Sequence, residues 1–290
     1  MGKSAFGAFF TVMLCLCIPC RAQAVERQDV SFSSLDGTQI TAAVFKPQSA
    51  LAGQTVATVV ALHGCGGLYA SAGARKGELS ARHQAMADML LAEGYAAVFP
   101  DSFTPRGETT LCTQKTGSGK VGQTQRRADT LAAIAWVARQ PWATPGAGRI
   151  ALLGWSHGGS AVLSATDAGN SEVRSQAVQP AVAIAFYPGC AASLKSGYRP
   201  GVPLVLMLGE KDDWTPPGPC LSLGKSAGAE VNLYADSYHD FDNPTGGVRL
   251  REDVPNGVRP GQGVHAGANP AARELAYTRL REIFKATLAR

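Results

Sequence analysis

The hydrophobic positions along this chain fall into short apolar runs that are separated by longer polar or amphipathic stretches. The runs cover residues 55–62, 95–99, 149–153, 181–186 and 202–208, and each consists mostly of apolar residues. Short continuous apolar runs are typical of strands that are buried on both faces of a sheet. The pattern therefore predicts five strands at the buried centre of a sheet.

Two further segments predict strands at the start and the end of this series. Residues 30–35 and 39–45 flank Asp36-Gly37, a dipeptide typical of tight turns, so they predict an antiparallel hairpin. Residues 231–235 alternate between apolar and polar positions, which indicates a last strand.

Helices are predicted between these strands, and two long segments without regular patterning are predicted loops. The predicted helices cover residues 78–93, 124–139, 157–166 and 271–288, and the predicted loops cover residues 102–122 and 241–270. A hairpin followed by strands that alternate with helices predicts an α/β domain. Its sheet is expected to be mostly parallel, with helices on both faces.

Residues 1–24 differ from the rest of the chain and predict a secretory signal peptide. Lys3 precedes an apolar run over residues 5–18, and Ala22-Gln23-Ala24 supplies the small residues that a signal peptidase recognises. An uncleaved membrane anchor is the alternative, but the run is short for a membrane span. We expect cleavage after Ala24, export to the periplasm or the medium, and no membrane attachment afterwards. Residues 25–290 show no repeat or linker and predict a single catalytic domain.

Charge and cysteine content limit the function classes. The formal net charge is +5, and removing Lys3 and Arg21 with the signal peptide reduces it to +3. This small, scattered excess does not suggest a nucleic-acid partner. Four cysteines remain in the exported chain, and they can form two disulfides in three connectivities or stay as buried thiols. They are Cys65, Cys112, Cys190 and Cys220.

The sequence Gly154-Trp155-Ser156-His157-Gly158 lies between a predicted strand and a predicted helix. This is the context of a nucleophile elbow, in which small residues flank a serine in a sharp turn. A glycine-rich turn with an incidental serine is the alternative. The strand before the turn favours Ser156 as a nucleophile.

A serine nucleophile needs a base to accept its proton, and five histidines are available. His239 follows the last predicted strand, at the sheet edge where ligands bind in α/β proteins, so it is the first choice. His265 is the second choice. His63 begins a glycine-rich loop, residues 63–67, and is expected to order that loop. His157 is expected to point away from the position of the base.

The remaining groups are a carboxylate for the histidine and N–H donors for an oxyanion. Asp212 and Asp213 both follow a buried strand, and only one of two adjacent side chains can face the histidine. One N–H donor is expected from His157, the residue after the nucleophile. The second is expected from the glycine-rich loop, with Cys65 preferred over Gly66. The chain order serine, aspartate, histidine is that of α/β-hydrolases.

With these motifs in place, the chain resembles the dienelactone hydrolase family of α/β-hydrolases. The similar segments are Leu62-His63-Gly64-Cys65-Gly66-Gly67, Pro100-Asp101-Ser102-Phe103, Gly154-Trp155-Ser156-His157-Gly158-Gly159, Gly209-Glu210-Lys211-Asp212-Asp213-Trp214-Thr215-Pro216 and Tyr238-His239-Asp240-Phe241-Asp242. The resemblance implies that Asp212 is the acid, His239 the base and Cys65 an oxyanion donor. It also implies the disulfide pairs Cys65–Cys112 and Cys190–Cys220, because each pair follows neighbouring strands of that fold.

Two residues depart from the family pattern. Ser156 stands where the name-giving enzymes have a cysteine nucleophile, and Gly64 stands where they have a glutamate. We therefore expect a serine hydrolase that cleaves small-molecule esters or lactones through an acyl-enzyme, without a metal or an organic cofactor. A peptidase of the same fold and an inactive binding protein are the alternatives. Arg106 is a candidate contact for a substrate carboxylate, or else a solvated loop residue.

Overall fold

The structure is a computed structural model, and it describes residues 1–2, 27–146 and 149–288. The predicted signal peptide over residues 1–24 lies outside the described residues except for its first two. Over the described part of the chain, no helix is long and apolar enough to span a bilayer. The eight strands of the main sheet are β1 (Gln28–Ser33), β2 (Gln39–Phe45), β3 (Thr58–Leu62), β4 (Ala96–Asp101), β5 (Ile150–Trp155), β6 (Val182–Phe186), β7 (Leu204–Gly209) and β8 (Glu230–Tyr234).

The sheet has the strand order β1-β2-β4-β3-β5-β6-β7-β8. Strands β1 and β2 form the predicted hairpin, and β2 pairs antiparallel with β4. All other neighbouring strands of this sheet pair in parallel. The prediction of a mostly parallel sheet with an N-terminal antiparallel hairpin is therefore confirmed.

Helices cover both faces of the sheet. They are α1 (Gln48–Leu51), α2 (Ala81–Ala92), α3 (Gln123–Val137), α4 (His157–Thr166), α5 (Ser171–Arg174), α6 (Ala191–Lys195), α7 (Pro217–Ala227) and α8 (Pro270–Leu288), with a 3₁₀ turn at Thr104–Arg106. Residues of α2 and α8 pack on one face, and residues of α3, α4 and α7 pack on the other. Side chains of β5 alternate between these two cores, with Leu153 in the first and Leu152 in the second. Burial on both faces explains why the central strands are continuous apolar runs.

The structure contains elements that the hydrophobic pattern does not predict. Helix α7 begins with two prolines and contains Gly218 and Gly224, which weaken a helical pattern in the sequence. Proline is tolerated in the first turn, and a Cβ at Gly224 would lie 2.5 Å from a Val231 methyl carbon, so the glycine lets α7 approach β8. The predicted loop 241–270 contains a short hairpin of β9 (Arg249–Arg251) and β10 (Val264–Ala266).

Two disulfides brace the loops at the carboxyl ends of the strands. Cys65, after β3, is bonded to Cys112, which lies in the loop that follows β4. Cys190, after β6, is bonded to Cys220 in α7. These are the two pairs that the family resemblance implies.

The Cys190–Cys220 bridge should contribute measurably to stability, because it closes a loop of 30 residues in the unfolded chain. We expect the double variant Cys190→Ala/Cys220→Ala to lose about 3 kcal/mol of unfolding free energy, measured by chemical denaturation under non-reducing conditions. Non-reducing peptide mapping should show that Cys65 and Cys112 remain joined. An unfolding free energy equal to that of the wild type would contradict this role.

Candidate active site

The turn between β5 and α4 holds Ser156 in a strained conformation. Its φ angle is +52°, a region that residues other than glycine rarely adopt. A Cβ atom at Gly158 would clash with the Leu62 carbonyl, and one at Gly154 would clash with the Gly158 carbonyl. Both glycines are therefore required by close backbone approach, and the sharp turn lifts Ser156 out of the end of the sheet.

Ser156, His239 and Asp212 form a continuous hydrogen-bonded row. The Ser156 Oγ atom lies 2.9 Å from His239 Nε2, and His239 Nδ1 lies 2.7 Å from Asp212 Oδ2. The side chains of His239 and Asp212 are each 1% exposed. The three residues come from loops after β5, β8 and β7, so the parallel sheet brings them together at one edge. In this geometry His239 can accept the serine proton.

The Asp212 carboxylate is fixed by its own loop. Its Oδ1 atom accepts hydrogen bonds from the backbone N–H groups of Trp214 and Thr215, both at 2.9 Å. The hydroxyl of Thr215 donates to Asp212 Oδ2 at 3.0 Å, or to the carbonyl of Tyr187 at 2.9 Å. These donors leave Oδ2 facing His239, so the carboxylate holds the imidazole in one orientation.

Asp213 and His265, the alternative acid and base, pair with each other and not with Ser156. Asp213 Oδ2 lies 2.7 Å from His265 Nδ1, and Asp213 Oδ1 accepts the His265 backbone N–H at 2.8 Å. This second pair is half-exposed. It joins the loop after β7 to the β9–β10 hairpin.

Two opposing effects act on the pKa of the His239 imidazole. Burial lowers the pKa of the imidazole, but the charge and hydrogen bond of Asp212, together with the charge of Asp240, raise that pKa above its usual value. Burial lowers the pKa of His157 to about 3, with the Arg126 guanidinium nearby as a second cause. His157 is therefore neutral near pH 7, while His239 gains a proton more readily than an isolated histidine.

The local backbone sets the orientation of the N–H groups of His157 and Cys65, the two donors that the sequence predicts for an oxyanion. His157 is the first residue of α4, so its N–H has no carbonyl partner within the helix and lies at the positive end of the helix dipole. The Gly64 carbonyl accepts hydrogen bonds from His63 Nδ1 at 2.8 Å and from the Gly67 N–H at 3.2 Å. In a trans peptide the next N–H points the opposite way, which directs the Cys65 N–H away from those donors.

Hydrogen bonds from the buried side chains of His63 and Arg126 hold the glycine-rich loop, residues 63–67, in place. Both are buried, and Arg126 donates to the His63 carbonyl at 2.8 Å. His63 Nε2 accepts the Ser102 N–H at 3.3 Å, which leaves the proton on Nδ1 for the Gly64 carbonyl. Burial, reinforced by the Arg126 charge, holds the pKa of His63 well below its usual range, so the imidazole stays neutral. His63 thus orders the loop, as the sequence suggested.

Asp242 joins the loop after β8, which carries His239, to the turn between β5 and α4, which carries Ser156. Its carboxylate is fully buried and accepts a hydrogen bond from Trp155 Nε1 at 2.7 Å and another from the Tyr187 hydroxyl. Arg82 lies 3.4 Å from the same carboxylate and supplies a compensating charge. Trp155, the residue before Ser156, is therefore bonded to the loop that carries His239, which fixes the position of Ser156 relative to His239.

Arg106 does not reach the site. Its guanidinium makes two hydrogen bonds to Asp129, at 2.8 and 2.9 Å, and one to Asp36 at 2.8 Å. It is also absent from the residues that line the two cavities beside Ser156. The interpretation of Arg106 as a substrate contact is corrected accordingly: its charge is used to tie the β1–β2 turn to α3. At 10% exposure, it is not a solvated loop residue either.

Sequence reasoning did not assign roles to Thr215, Arg126, Arg82 or Asp242. Thr215 and Asp242 lie within the segments that carry the family resemblance, but that resemblance gives neither residue a role. Nothing in the local sequence marks Arg126 or Arg82, because each acts on a residue at least forty positions away.

The strand order, the strained serine turn and the position of the site at the carboxyl edge define a hydrolase with the α/β-hydrolase fold. The model of the dienelactone hydrolase family matches residues 40–288. The chain belongs to the dienelactone hydrolase family. A search of curated protein sequences finds no significant match.

Solved structures with this fold include esterases and peptidases. A dienelactone hydrolase-like promiscuous phosphotriesterase, P91, from metagenomic libraries is 14% identical, with a TM-score of 0.63 over 90% of this chain and 98% of that one. Thermogutta terrifontis esterase 2, phosphorylated by paraoxon, is 16% identical, with a TM-score of 0.58 over 89% and 93%. Porphyromonas gingivalis dipeptidyl peptidase 4 is 16% identical, with a TM-score of 0.58 over 91% of this chain and 36% of that one.

The two adjacent aspartates provide a matched pair of variants. A fluorophosphonate reacts with an activated serine, so its rate of reaction with Ser156 reports on proton removal by His239. We expect Asp212→Asn to slow this reaction about 10³-fold or more, because the histidine loses the group that orients it and stabilises its charge. Asp213→Asn should slow it less than tenfold. Equal effects of the two variants would contradict the pairing of Asp212 with His239.

The raised pKa of His239 predicts the pH dependence of the same reaction. Only the neutral imidazole accepts the serine proton, so the rate should fall on acidification with an apparent pKa above the ordinary histidine value of about 6.5. Asp212→Asn removes the charge that raises the pKa, so the acidic limb should move to lower pH. Rate profiles for both proteins between pH 4 and pH 9 test this. An acidic limb that moves to higher pH in Asp212→Asn would refute the assignment of Asp212 as the charge that raises the pKa of His239.

Proposed function

We propose that this protein is a serine hydrolase that cleaves a carboxylic ester or a lactone through an acyl-enzyme intermediate. The observation that carries the proposal is the row Ser156–His239–Asp212, with contacts of 2.9 and 2.7 Å at the end of a parallel sheet. The strained turn at Ser156 and two backbone donors nearby supply the other parts that acyl transfer needs.

In the acylation half of the proposed reaction, Ser156 Oγ attacks the ester carbonyl carbon while His239 Nε2 takes the hydroxyl proton. The carbonyl π electrons move onto oxygen, and the N–H groups of Cys65 and His157 bind the resulting oxyanion. When the intermediate collapses, the bond to the leaving oxygen breaks, and His239 donates its proton to that oxygen. Each oxyanion donor of this kind typically stabilises the transition state by roughly 3–4 kcal/mol.

In the deacylation half, a water molecule attacks the acyl-serine carbonyl and His239 accepts one of its protons. The bond between the carbonyl carbon and Ser156 Oγ breaks, and the proton returns to Oγ. The acid product leaves, and the enzyme recovers its starting state. Asp212 stabilises the protonated imidazole in both halves without taking the proton itself.

Export is part of the proposal. We assign residues 1–24 to a cleaved signal peptide and residues 25–290 to one catalytic domain in the periplasm or outside the cell. The two disulfides support this, because such bonds persist in oxidising compartments and are rare in the cytosol.

A peptidase of the same fold is the second candidate, and the likeness to a dipeptidyl peptidase is the observation that keeps it in view. That likeness covers 36% of the peptidase chain and 91% of this one. An ester is easier to cleave than an amide with the same machinery, since its leaving oxygen needs less assistance from the proton donor. The substrate tests below separate the two.

Labelling and turnover together test the proposed function. We expect a fluorophosphonate probe to label the wild-type protein at Ser156, and the protein to hydrolyse small aliphatic and aromatic esters. Ser156→Ala should lose both the label and the turnover, whereas Ser160→Ala, a nearby serine that lies in helix α4, should keep the label. Cleavage of peptide amides faster than esters would favour the peptidase. Absence of labelling in the folded wild-type protein would favour an inactive binding protein.

A further inference from the structure

Two cavities of different character open beside Ser156. One has a volume of about 240 Å³ and the other about 390 Å³. Both are lined by Ser156, Trp214 and the disulfide between Cys65 and Cys112. The disulfide and the indole therefore stand at the boundary between the cavities, directly at the nucleophile.

His239 and His157 distinguish the two cavities. His239 lines the smaller cavity and not the larger one, whereas His157 lines the larger cavity and not the smaller one. In the proposed reaction His239 Nε2 must deliver its proton to the oxygen of the leaving group. That oxygen, and the alcohol attached to it, must therefore occupy the side that His239 lines.

We propose, on the basis of the serine hydrolase function above, that the smaller cavity receives the leaving alcohol and the larger cavity receives the acyl group. The carbonyl carbon then lies over Ser156, its oxygen lies at the N–H groups of Cys65 and His157, and its two substituents extend in different directions. A substrate of this protein has two separately recognised parts.

The larger cavity favours an apolar acyl group. Leu111, Val121 and Ala192 contribute apolar surface together with Trp214 and the disulfide. The polar residues of its wall include the exposed Lys115 and Thr116 and the half-buried Gln114, Gln123, Ser160, Thr215 and Asn256. Its volume of about 390 Å³ lies in the range of small-molecule sites. Burial of a medium-chain or aromatic acyl group here would be driven by the hydrophobic effect.

The smaller cavity favours a polar alcohol and continues outwards. Asp240, Asn243, Thr245 and Arg251 line it and also line an adjoining groove of about 480 Å³. The two arginines that line the smaller cavity itself are already paired with carboxylates, Arg82 with Asp240 at 2.7 Å and Arg251 with Asp253 at 2.8 Å, and Arg249 lines only the adjoining groove. The smaller cavity thus offers hydrogen-bond donors and acceptors without a large excess of charge.

These features define the substrate class as an ester between an apolar carboxylic acid and a neutral, hydroxyl-rich alcohol such as a polyol or a sugar. An alcohol with many hydroxyl groups can use the donors and acceptors of Asp240, Asn243 and Thr245. An anionic alcohol gains less in the smaller cavity, because both guanidinium groups that line it are already paired with carboxylates.

The test uses two bulky substitutions that each fill one side. Ala192→Trp fills the larger cavity, and Thr245→Trp fills the smaller cavity and the adjoining groove. Ala191→Trp is the matched control, because Ala191 is exposed beside Ala192 and lines none of these cavities. Two substrate series are compared by kcat/KM: methyl esters from acetate to octanoate, and acetate esters of methanol, glycerol and glucose.

We expect Ala192→Trp to lower the octanoate-to-acetate selectivity at least about tenfold, with less than a twofold change in the glucose-to-methanol selectivity. Thr245→Trp should lower the glucose-to-methanol selectivity at least about tenfold, with less than a twofold change in the octanoate-to-acetate selectivity. Ala191→Trp should alter neither ratio. Thermal unfolding and fluorophosphonate labelling of Ser156 check that each variant is folded. If a tryptophan variant does not fold, Ala192→Leu or Thr245→Leu takes its place with a smaller expected shift in the same direction.

The outcomes separate failure of the assignment from failure of the proposed function. If the wild type hydrolyses esters but the two substitutions act on the opposite series, or each acts equally on both, the assignment of the cavities is wrong. A wild type that prefers acetates of simple alcohols over those of glycerol and glucose overturns the alcohol class. If the folded wild type hydrolyses no member of either series and Ser156 takes no label, the serine hydrolase function itself is overturned.

Discussion

The close approach of three backbone segments at the serine turn is the constraint on which the site depends. The turn after β5 passes so near the Leu62 carbonyl at the end of β3 that no side chain fits at Gly158. Ser156 takes a positive φ angle because the strand must reverse into α4 at this point. That geometry places the Ser156 hydroxyl close to the first N–H of α4, so the proposed nucleophile and one proposed oxyanion donor arise from one turn.

The surrounding structure holds this turn against its neighbours through buried polar contacts. Trp155 is bonded to Asp242 in the histidine loop, and Arg126 is bonded to the carbonyl of His63 in the glycine-rich loop. Removing one partner from such a buried contact leaves an unpaired polar group, which costs more than the contact itself contributes. The loops after β3, β5 and β8 are therefore expected to act as one rigid unit.

The Cys65–Cys112 disulfide connects this rigid unit to the wall of the larger cavity. Cys65, whose backbone N–H is the proposed oxyanion donor, is bonded through its side chain to the loop that forms part of that wall. Cys190–Cys220 braces the other side of that cavity, where α6 and α7 meet. Both covalent restraints therefore lie at the carboxyl end of the sheet, whereas the sheet itself is held by backbone hydrogen bonds and by the packing of its two apolar faces.

The sequence by itself determined the eight strands of the main sheet, their mostly parallel pairing, the serine turn and a short set of candidate acids and bases. These features can be predicted from short stretches of sequence, because continuous apolar runs indicate buried strands and glycines indicate close approach of backbone segments. The local residues left Asp212 and Asp213 both open and the family resemblance favoured Asp212, and the tertiary structure shows Asp212 facing His239. Only the tertiary structure decided that Arg106 pairs with Asp129. Adjacent side chains in a loop diverge by backbone angles that the sequence does not reveal. A salt bridge likewise depends on which distant segment the fold brings near.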